Sequence, residues 1–470
     1  MKRLMRYGFQ SMVGLGYRAY GLDVLGRYRW LKTTLTWSQR QREEWRLQRL
    51  GDILEYSWTQ VPFYREFWGD HGVAFRRPRH VEELQEYPIL RKDIYRANSE
   101  RIRPKNLDGI RFMEKATGGS TSVPVHYLLD LEQWTFMEAF HIWGWSQAGY
   151  EYGDPVGVIA GGSLVPESKT LKSMLRGLAQ RRLFLYGVAM DSELAREHHG
   201  RLLRYGAEFL YGYPSVLYLF AKFLNQHGLQ LPKLRAVVTT AEMMLPHYRE
   251  GIQKWLGCPV FDDFGSNDGG VESYECDRHD GFHYNDLQSV LEVDKSDKQT
   301  ADGKLVITNL WNRSSPFIRY ENGDLVVLGS KPCPCGAPFP LISSVQGRTA
   351  DILTFANGRS LSGPALTLIF GDMKIDGWQI VQTGPASLEV RICNSGDLRP
   401  EYREKILRVL NFHLHGDVEV EIRLVDRLEL TKGGKWKPVL SQFGGANPSE
   451  REPRCAEPVV FSLKGGSPTK

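Results

Sequence analysis

The sequence has no uncharged apolar run of about 18 residues, the length a helix needs to cross a bilayer. Cysteine is scarce: six in 470 residues, too few for a disulfide scaffold. The 47 glycines and 24 prolines follow no period, which excludes a collagen-like or low-complexity fibre. An excess of one charge sign is missing too. Sixty Lys and Arg against 55 Asp and Glu leave a net charge of +5, so the whole-chain charge gives no argument for a nucleic-acid partner. There is no Walker loop, no GxGxxG fingerprint and no GxSxG nucleophile elbow. What remains, 41% hydrophobic and 24% charged, is an ordinary globular composition, and the length suggests about two to three domains.

Charge is concentrated at the start. Residues 1–50 hold eleven Lys and Arg but only Asp23, Glu43 and Glu44 as acids, interleaved with Tyr7, Phe9, Tyr17, Tyr28 and Trp30. Two readings follow. The segment lies on an anionic membrane surface, or it is helical and caps the main domain, its arginine stems covering apolar surface. Arg18 interrupts the apolar region, which reads against a secretory leader. The expectation is a cytoplasmic protein, with peripheral contact to the inner membrane as the finer alternative.

Residues 36–56 show helical spacing behind a candidate N-cap, Ser38. Residues 127–150 read as an aromatic-rich helix, with Trp134, Phe136, Phe140, Trp143 and Trp145; His141 among them is a core or surface residue, or faces a substrate pocket. From VGVIAGG (156–162) short apolar strands alternate with amphipathic helices to CPVFDDFGS (258–266). That pattern means βαβ units and a parallel sheet, whose functional loops sit at the strands' carboxyl ends. His198 and His199 fall on one polar helix and read as solvated. From about 287 the pattern turns to β, and beyond 350 a β-α-β-β-α-β order, with a helix near 364–373, suggests a small α+β domain. Residues 446–470 read as a tail.

Five stretches carry chemistry. KATGGSTSVPV (115–125) places two glycines and four hydroxyls together, a composition suited to a phosphate cradle or to a plain turn. VFDDFGSND (260–268) ends a strand in carboxylates that can hold Mg²⁺ or cap the next helix. PFIRYENGDLV (316–326) fixes an Arg and an Asp around an Asn-Gly turn, and the Asp can accept both hydroxyls of a ribose. GRTADIL (347–353) lies where the pattern changes. LTKGGKWKP (430–438) carries Lys435 on a Gly-rich loop, able to close on an anionic transition state. Separately, Cys276, His279, His283, Cys333 and Cys335 supply a tetrahedral Zn²⁺ set with either histidine; Cys258, Cys393 and Cys455 are scattered singles.

In order and spacing these stretches resemble the adenylate-forming superfamily, in the branch of phenylacetate–CoA ligases and CapK-type proteins. The carrying segments are TGGSTSVP (117–124), LYGYPSVLYLFAKFL (210–224), VVTTAEMM (237–244), VFDDFGSNDGG (260–270), LVITNLWNRSSPFIRYENGD (305–324), GRTADIL (347–353) and KGGKWKP (432–438), spanning about 60 to 440. The resemblance implies an α/β fold: a large adenylation domain with mixed and parallel sheets, then a small mobile α+β domain. The boundaries would be 1–60 for the basic helical segment, 61–348, 349–445, and 446–470 for the tail.

It also implies ATP-dependent activation of an aryl or apolar carboxylic acid, then acyl transfer to CoA or to an amine or hydroxyl, possible roles being polysaccharide or secondary-metabolite synthesis. Thr117, Gly118, Gly119, Ser120 and Thr121 would hold the triphosphate. Thr240, Ala241 and Glu242 would flank AMP, with Phe264 and Gly265 beside the adenine. Asp324 would take the ribose, Arg348 the ribose or phosphate, and Asp351 would be the hinge. Lys435 would contact the carboxylate and α-phosphate, and Asp268 would take Mg²⁺. The family has Glu at that last position, and Asp is one methylene shorter. The runner-up reading is therefore a catalytically degraded nucleotide-binding or partner subunit. For zinc, the Gly-x-His context of the branch favours His283 over His279. A homodimer is implied by analogy.

Overall fold

The computed structural model describes residues 2–19, 21–116, 125–161, 164–165, 177–178, 180–187, 192–266, 268–295, 302–348, 353–356, 360–361, 369–370, 373, 375–394, 396–414, 418–430 and 436–442. A twelve-stranded sheet organises most of them. Its first half is parallel, in the spatial order Arg182–Tyr186, Val156–Ala160, Phe209–Gly212, Ala236–Thr240 and Val260–Ser266. These strands are apolar on both faces because helices cover both. The chain then turns back: Val271–Glu275 runs antiparallel to Val260–Ser266, and the sheet continues antiparallel through Phe282–Tyr284, Leu341–Arg348, Tyr320–Leu328, Gly303–Asn309 and Ser289–Asp294, with the short strand Leu90–Arg91 pairing parallel to Tyr320–Glu321 as the twelfth.

Among the described residues ten α-helices surround the sheets: α1 (Lys2–Ala19), α2 (Val24–Thr34), α3 (Gln39–Gln60), α4 (Pro62–Asp70), α5 (Lys92–Ala97), α6 (Leu131–Gln147), α7 (Ser192–Tyr205), α8 (Pro214–Gln226), α9 (Pro246–Leu256) and α10 (Pro400–Leu414). Ser38 caps α3 in a reciprocal box: its hydroxyl accepts from the Gln41 N–H at 3.3 Å, and its own N–H donates to the Gln41 side chain at 2.8 Å. The aromatic helix starts later than the sequence suggests. Residues 126–130 form a strand, and the Asp130 carboxylate accepts from the Glu132 N–H at 2.8 Å to start α6 at 131.

The basic first 60 residues face inward at several points. Leu50, Ile53 and Leu54 of α3 share a core with Phe63, Trp68 and Phe317. The Arg27 guanidinium lies 4.0 Å from the Phe136 ring centroid, and that of Arg49 lies 3.7 Å from Trp311. Arg42, 5% exposed, forms a buried ion pair with Asp286. Among the described residues no helix is long and apolar enough to cross a membrane.

At the C-terminal end a four-stranded sheet, in the order Glu419–Leu424, Ser387–Cys393, Gly377–Gly384 and Val439–Ser441, packs with α10. It is preceded by the short pair Leu353–Thr354 and Ser360–Leu361. The sheet docks on α8 and α9: Lys222 pairs with Asp376, the His247 ring lies 3.0 Å from the Ile375 carbonyl, and the Tyr248 hydroxyl donates to the Asp376 carbonyl at 3.1 Å. The helix expected near 364–373 lies mostly outside the described residues, as does the tail. One expectation reverses. His198 is 2% exposed, its Nε2 held 2.9 Å from the Tyr186 carbonyl, because α7 packs that face on the edge of the sheet.

Candidate functional site

The carboxyl ends of the strands Ala236–Thr240 and Val260–Ser266 lie side by side, with Thr240 in register with Asp263. The chain leaves the first strand through Ala241, whose φ of +69° is left-handed and costly for a residue with a Cβ. That turn presents Glu242. One carboxylate oxygen accepts from the Ser215 hydroxyl at 2.6 Å at the start of α8, and the other accepts from the Trp436 backbone N–H at 2.6 Å. The residue after Lys435 is therefore pinned at the strand end. Lys435 itself, Asp351 and the loop Thr117, Gly118, Gly119, Ser120, Thr121 lie outside the described residues.

Phe264 and Gly265 finish the second strand. Gly265 is exposed within the sheet, and a Cβ there would meet only the Val271 carbonyl, at 3.6 Å. The backbone beside Phe264 is thus left open to a flat ligand. Asp324 is buried, accepting from the Asn322 side-chain amide at 2.6 Å, and it stands in register with Arg348 on the neighbouring strand. Asp268 is buried. Its Oδ2 accepts from the Lys92 ammonium at 2.8 Å and from the Tyr320 hydroxyl at 2.8 Å, and its Oδ1 lies 3.3 Å from the Ser266 hydroxyl. An open magnesium ligand would keep an oxygen directed at solvent or phosphate. Here the shorter side chain is drawn back onto Lys92, which does not fit the expected metal role. No motif singles out Lys92, 176 residues away at the start of α5.

A polar group lines the opposite side, between α6 and the sheet. His141 Nδ1 lies 3.0 Å from the Tyr274 hydroxyl, its Nε2 lies 3.1 Å from the Arg182 guanidinium, and the Tyr274 hydroxyl donates to Glu272 at 3.0 Å. Burial, then the Arg182 charge, holds His141 well below the usual histidine range. Burial, then Glu138, pushes the Glu272 carboxyl well up. Burial likewise raises Asp263, to about 7, against hydrogen bonds from Thr240 and Tyr211. The α6 aromatics belong to the core: Phe136, Phe140, Trp143 and Trp145 are each at most 4% exposed.

Cys276, His283, Cys333 and Cys335 converge, their ligand atoms all within 4.8 Å of one another. Cys276 Sγ and Cys333 Sγ are 3.7 Å apart, and Cys335 Sγ is 3.3 Å from His283 Nε2. A zinc tetrahedron with bonds of ~2.3 Å to sulfur has edges of about 3.8 Å, so the spacing fits that ion and not a disulfide. His283 Nδ1 lies 2.8 Å from the Phe339 carbonyl, which fixes the tautomer with Nε2 free to ligate. His279 turns elsewhere, its Nδ1 2.9 Å from Glu275.

Comparison with known proteins accords with this layout. No family model matches the chain. Over 394 residues it is 22% identical to protein CapK of Staphylococcus aureus, covering 83% of this chain and 86% of that one. Over 401 residues it is 23% identical to the phenylacetate–coenzyme A ligase of Thermus thermophilus, covering 80% and 84%. Among solved structures, 2-hydroxyisobutyryl-CoA ligase in its postadenylation state superposes with a TM-score of 0.69 at 20% identity, covering 87% of this chain and 91% of that one. The chain has the adenylate-forming fold and is similar in sequence to CapK. The same ligase in its thioesterification state gives a TM-score of only 0.55 over nearly the same coverage, 86% and 91%.

Proposed function

We propose that the protein activates a carboxylic acid with ATP and passes the acyl group to a thiol, CoA, or to an amine or hydroxyl. A substrate carboxylate oxygen attacks the α-phosphorus, the bond to the β-phosphate oxygen breaks, and acyl-AMP and pyrophosphate result. Acceptor attack on the acyl carbon then releases AMP. The observation that carries this reading is the Trp436 N–H on Glu242, which holds the residue next to Lys435 at the strand end beside Thr240, Phe264 and Gly265.

In this reading Thr117–Thr121 cradles the phosphates, Asp324 takes the ribose hydroxyls, and Arg348, its register partner, reaches the ribose or phosphate. Lys435 neutralises charge developing between carboxylate and α-phosphate. Asp351 is the hinge on which the C-terminal sheet leaves that position for the second step. Zinc, held by Cys276, His283, Cys333 and Cys335, is structural, since four protein ligands leave no open position.

Pyrophosphate release with ATP, Mg²⁺ and a panel of amino-, hydroxy-, aryl and fatty acids tests the reading. Release that depends on one acid, and is lost in Lys435→Ala, supports it. Acid-independent behaviour in both proteins, with ATP still bound, would move the weight to a non-catalytic nucleotide-binding subunit.

A further inference from the structure

The adenylation reading assigns Asp268 to a divalent cation; the contacts around it point elsewhere. Two protein donors, the Lys92 ammonium and the Tyr320 hydroxyl, already hold its Oδ2, while the Ser266 hydroxyl beside Oδ1 donates to the Asp268 backbone carbonyl at 2.8 Å. The side chain is 8% exposed, whereas that of Lys92 is 29% exposed. Lys92 therefore faces outward with Asp268 behind it. Its ammonium also lies 3.3 Å from the Asn322 carbonyl, and the Asn322 side chain holds Asp324, the ribose candidate, at 2.6 Å. Two contacts account for two of the three ammonium donors; the third is available to an acceptor on the open side.

The phosphate-loop candidate springs from the same spot. Tyr127 stands opposite Lys115 in the hairpin whose strands flank residues 117–124, and Tyr95 packs flat on Phe317 at 4.7 Å beside Tyr320. Both tyrosines lie close enough for the Asp268 charge to act on their hydroxyls. Val125, the residue after that loop, is buried with Tyr95, Tyr127 and Tyr320.

We infer that Lys92, anchored by Asp268 and Tyr320, is a resident cation that binds the nucleotide's phosphates, and that Asp268 positions Lys92 instead of ligating magnesium. Any Mg²⁺ then enters only as the counter-ion ATP carries from solution. The inference rests on the adenylation reading but is separable from it, because it concerns ATP binding and not turnover. A fixed ammonium supplies one positive charge in the place of a hydrated dication, and it needs no metal to be present for ATP to dock.

Isothermal titration of the full chain with ATP, in EDTA and in Mg²⁺, decides the matter. Wild type should bind ATP in EDTA within roughly threefold of its affinity in Mg²⁺. Lys92→Met should lose at least about tenfold in EDTA, while Lys92→Arg should keep most of the affinity, which separates lost charge from lost fold. In parallel, the paramagnetic resonance of Mn²⁺·ATP bound to the protein should give the same Mn²⁺ affinity in Asp268→Asn as in wild type. ATP binding abolished by EDTA in wild type, or Mn²⁺ affinity reduced about tenfold or more in Asp268→Asn, would overturn the inference and leave the adenylation reading standing. No ATP binding in either buffer would remove the adenylation reading itself, and this inference with it.

Discussion

The Trp436 N–H and the Glu242 carboxylate, 2.6 Å apart and 194 residues apart in sequence, form the contact that ties the C-terminal sheet to the reaction end of the large one. A hydrogen bond to a charged acceptor is worth about 1.5–3 kcal/mol. Glu242→Ala should therefore slow acid-dependent ATP–pyrophosphate exchange by about 10- to 100-fold. Acyl transfer from supplied acyl-AMP, which needs the loop to leave, should not slow with it. Equal losses in both assays would mean that Glu242 holds the nucleotide and not the sheet.

The metal cluster makes a compositional prediction. Denatured protein titrated with a chromogenic chelator should release about one zinc per chain. Cys333→Ser or His283→Ala should abolish that release and lower the melting temperature, since a structural zinc contributes its binding energy to folding. Cys258→Ser should leave the zinc in place, because Cys258 is buried away from the cluster. His279→Ala should leave it too, and loss of zinc there would restore the alternative ligand.

The parallel half of the sheet was legible because its buried strands read as short apolar runs between amphipathic helices, as in Ala236–Thr240 before α9. The cluster was legible because its ligand types are rare in this sequence, and the Gly-x-His context pointed to His283. Other features were not. Lys92 sits in an unremarkable helical start, and only the parallel pairing of Leu90–Arg91 with Tyr320–Glu321 carries it to Asp268. The α6 aromatics suggested a pocket by composition alone, but their helix is apolar nearly all round and is consumed by packing. His198 looked solvated because its neighbours are charged; which face of α7 meets the sheet is a tertiary fact.

The buried pair of Arg42 and Asp286 shows the same limit and gives a stability prediction. Arg42 also donates to the Thr34 carbonyl at 3.2 Å and stands 4.9 Å over the Phe339 ring, whose backbone carbonyl orients His283. The pair thus braces α3 against the zinc segment. Asp286→Asn leaves a buried guanidinium without its counter-ion and should cost about 3–5 kcal/mol in urea unfolding. The double variant Arg42→Met, Asp286→Leu should recover most of that loss. Additive losses in the cycle would mean the two charges do not depend on each other.

Asp263 sets a pH dependence whose direction is fixed. Its carboxyl ordinarily titrates near 3.8, and burial raises it to about 7 in the folded chain. Between those values the folded protein keeps a proton that the unfolded chain has released. The stability tied to this group is therefore complete below the lower value and is lost as pH rises through the upper one. Three pKa units set the ceiling on the loss at about 4 kcal/mol. Asp263→Asn removes this titration while its amide oxygen can still accept from Thr240 and Tyr211. Chemical unfolding of both proteins from pH 5 to 8 should give a wild-type stability that falls relative to the variant across that range, with the gap widest at pH 8. Glu272 is shifted in the same direction, but it is present in both proteins, so the difference curve isolates Asp263. Parallel curves would mean that Asp263 is ionised in the folded state throughout, its charge balanced by the Arg182 side of the pocket.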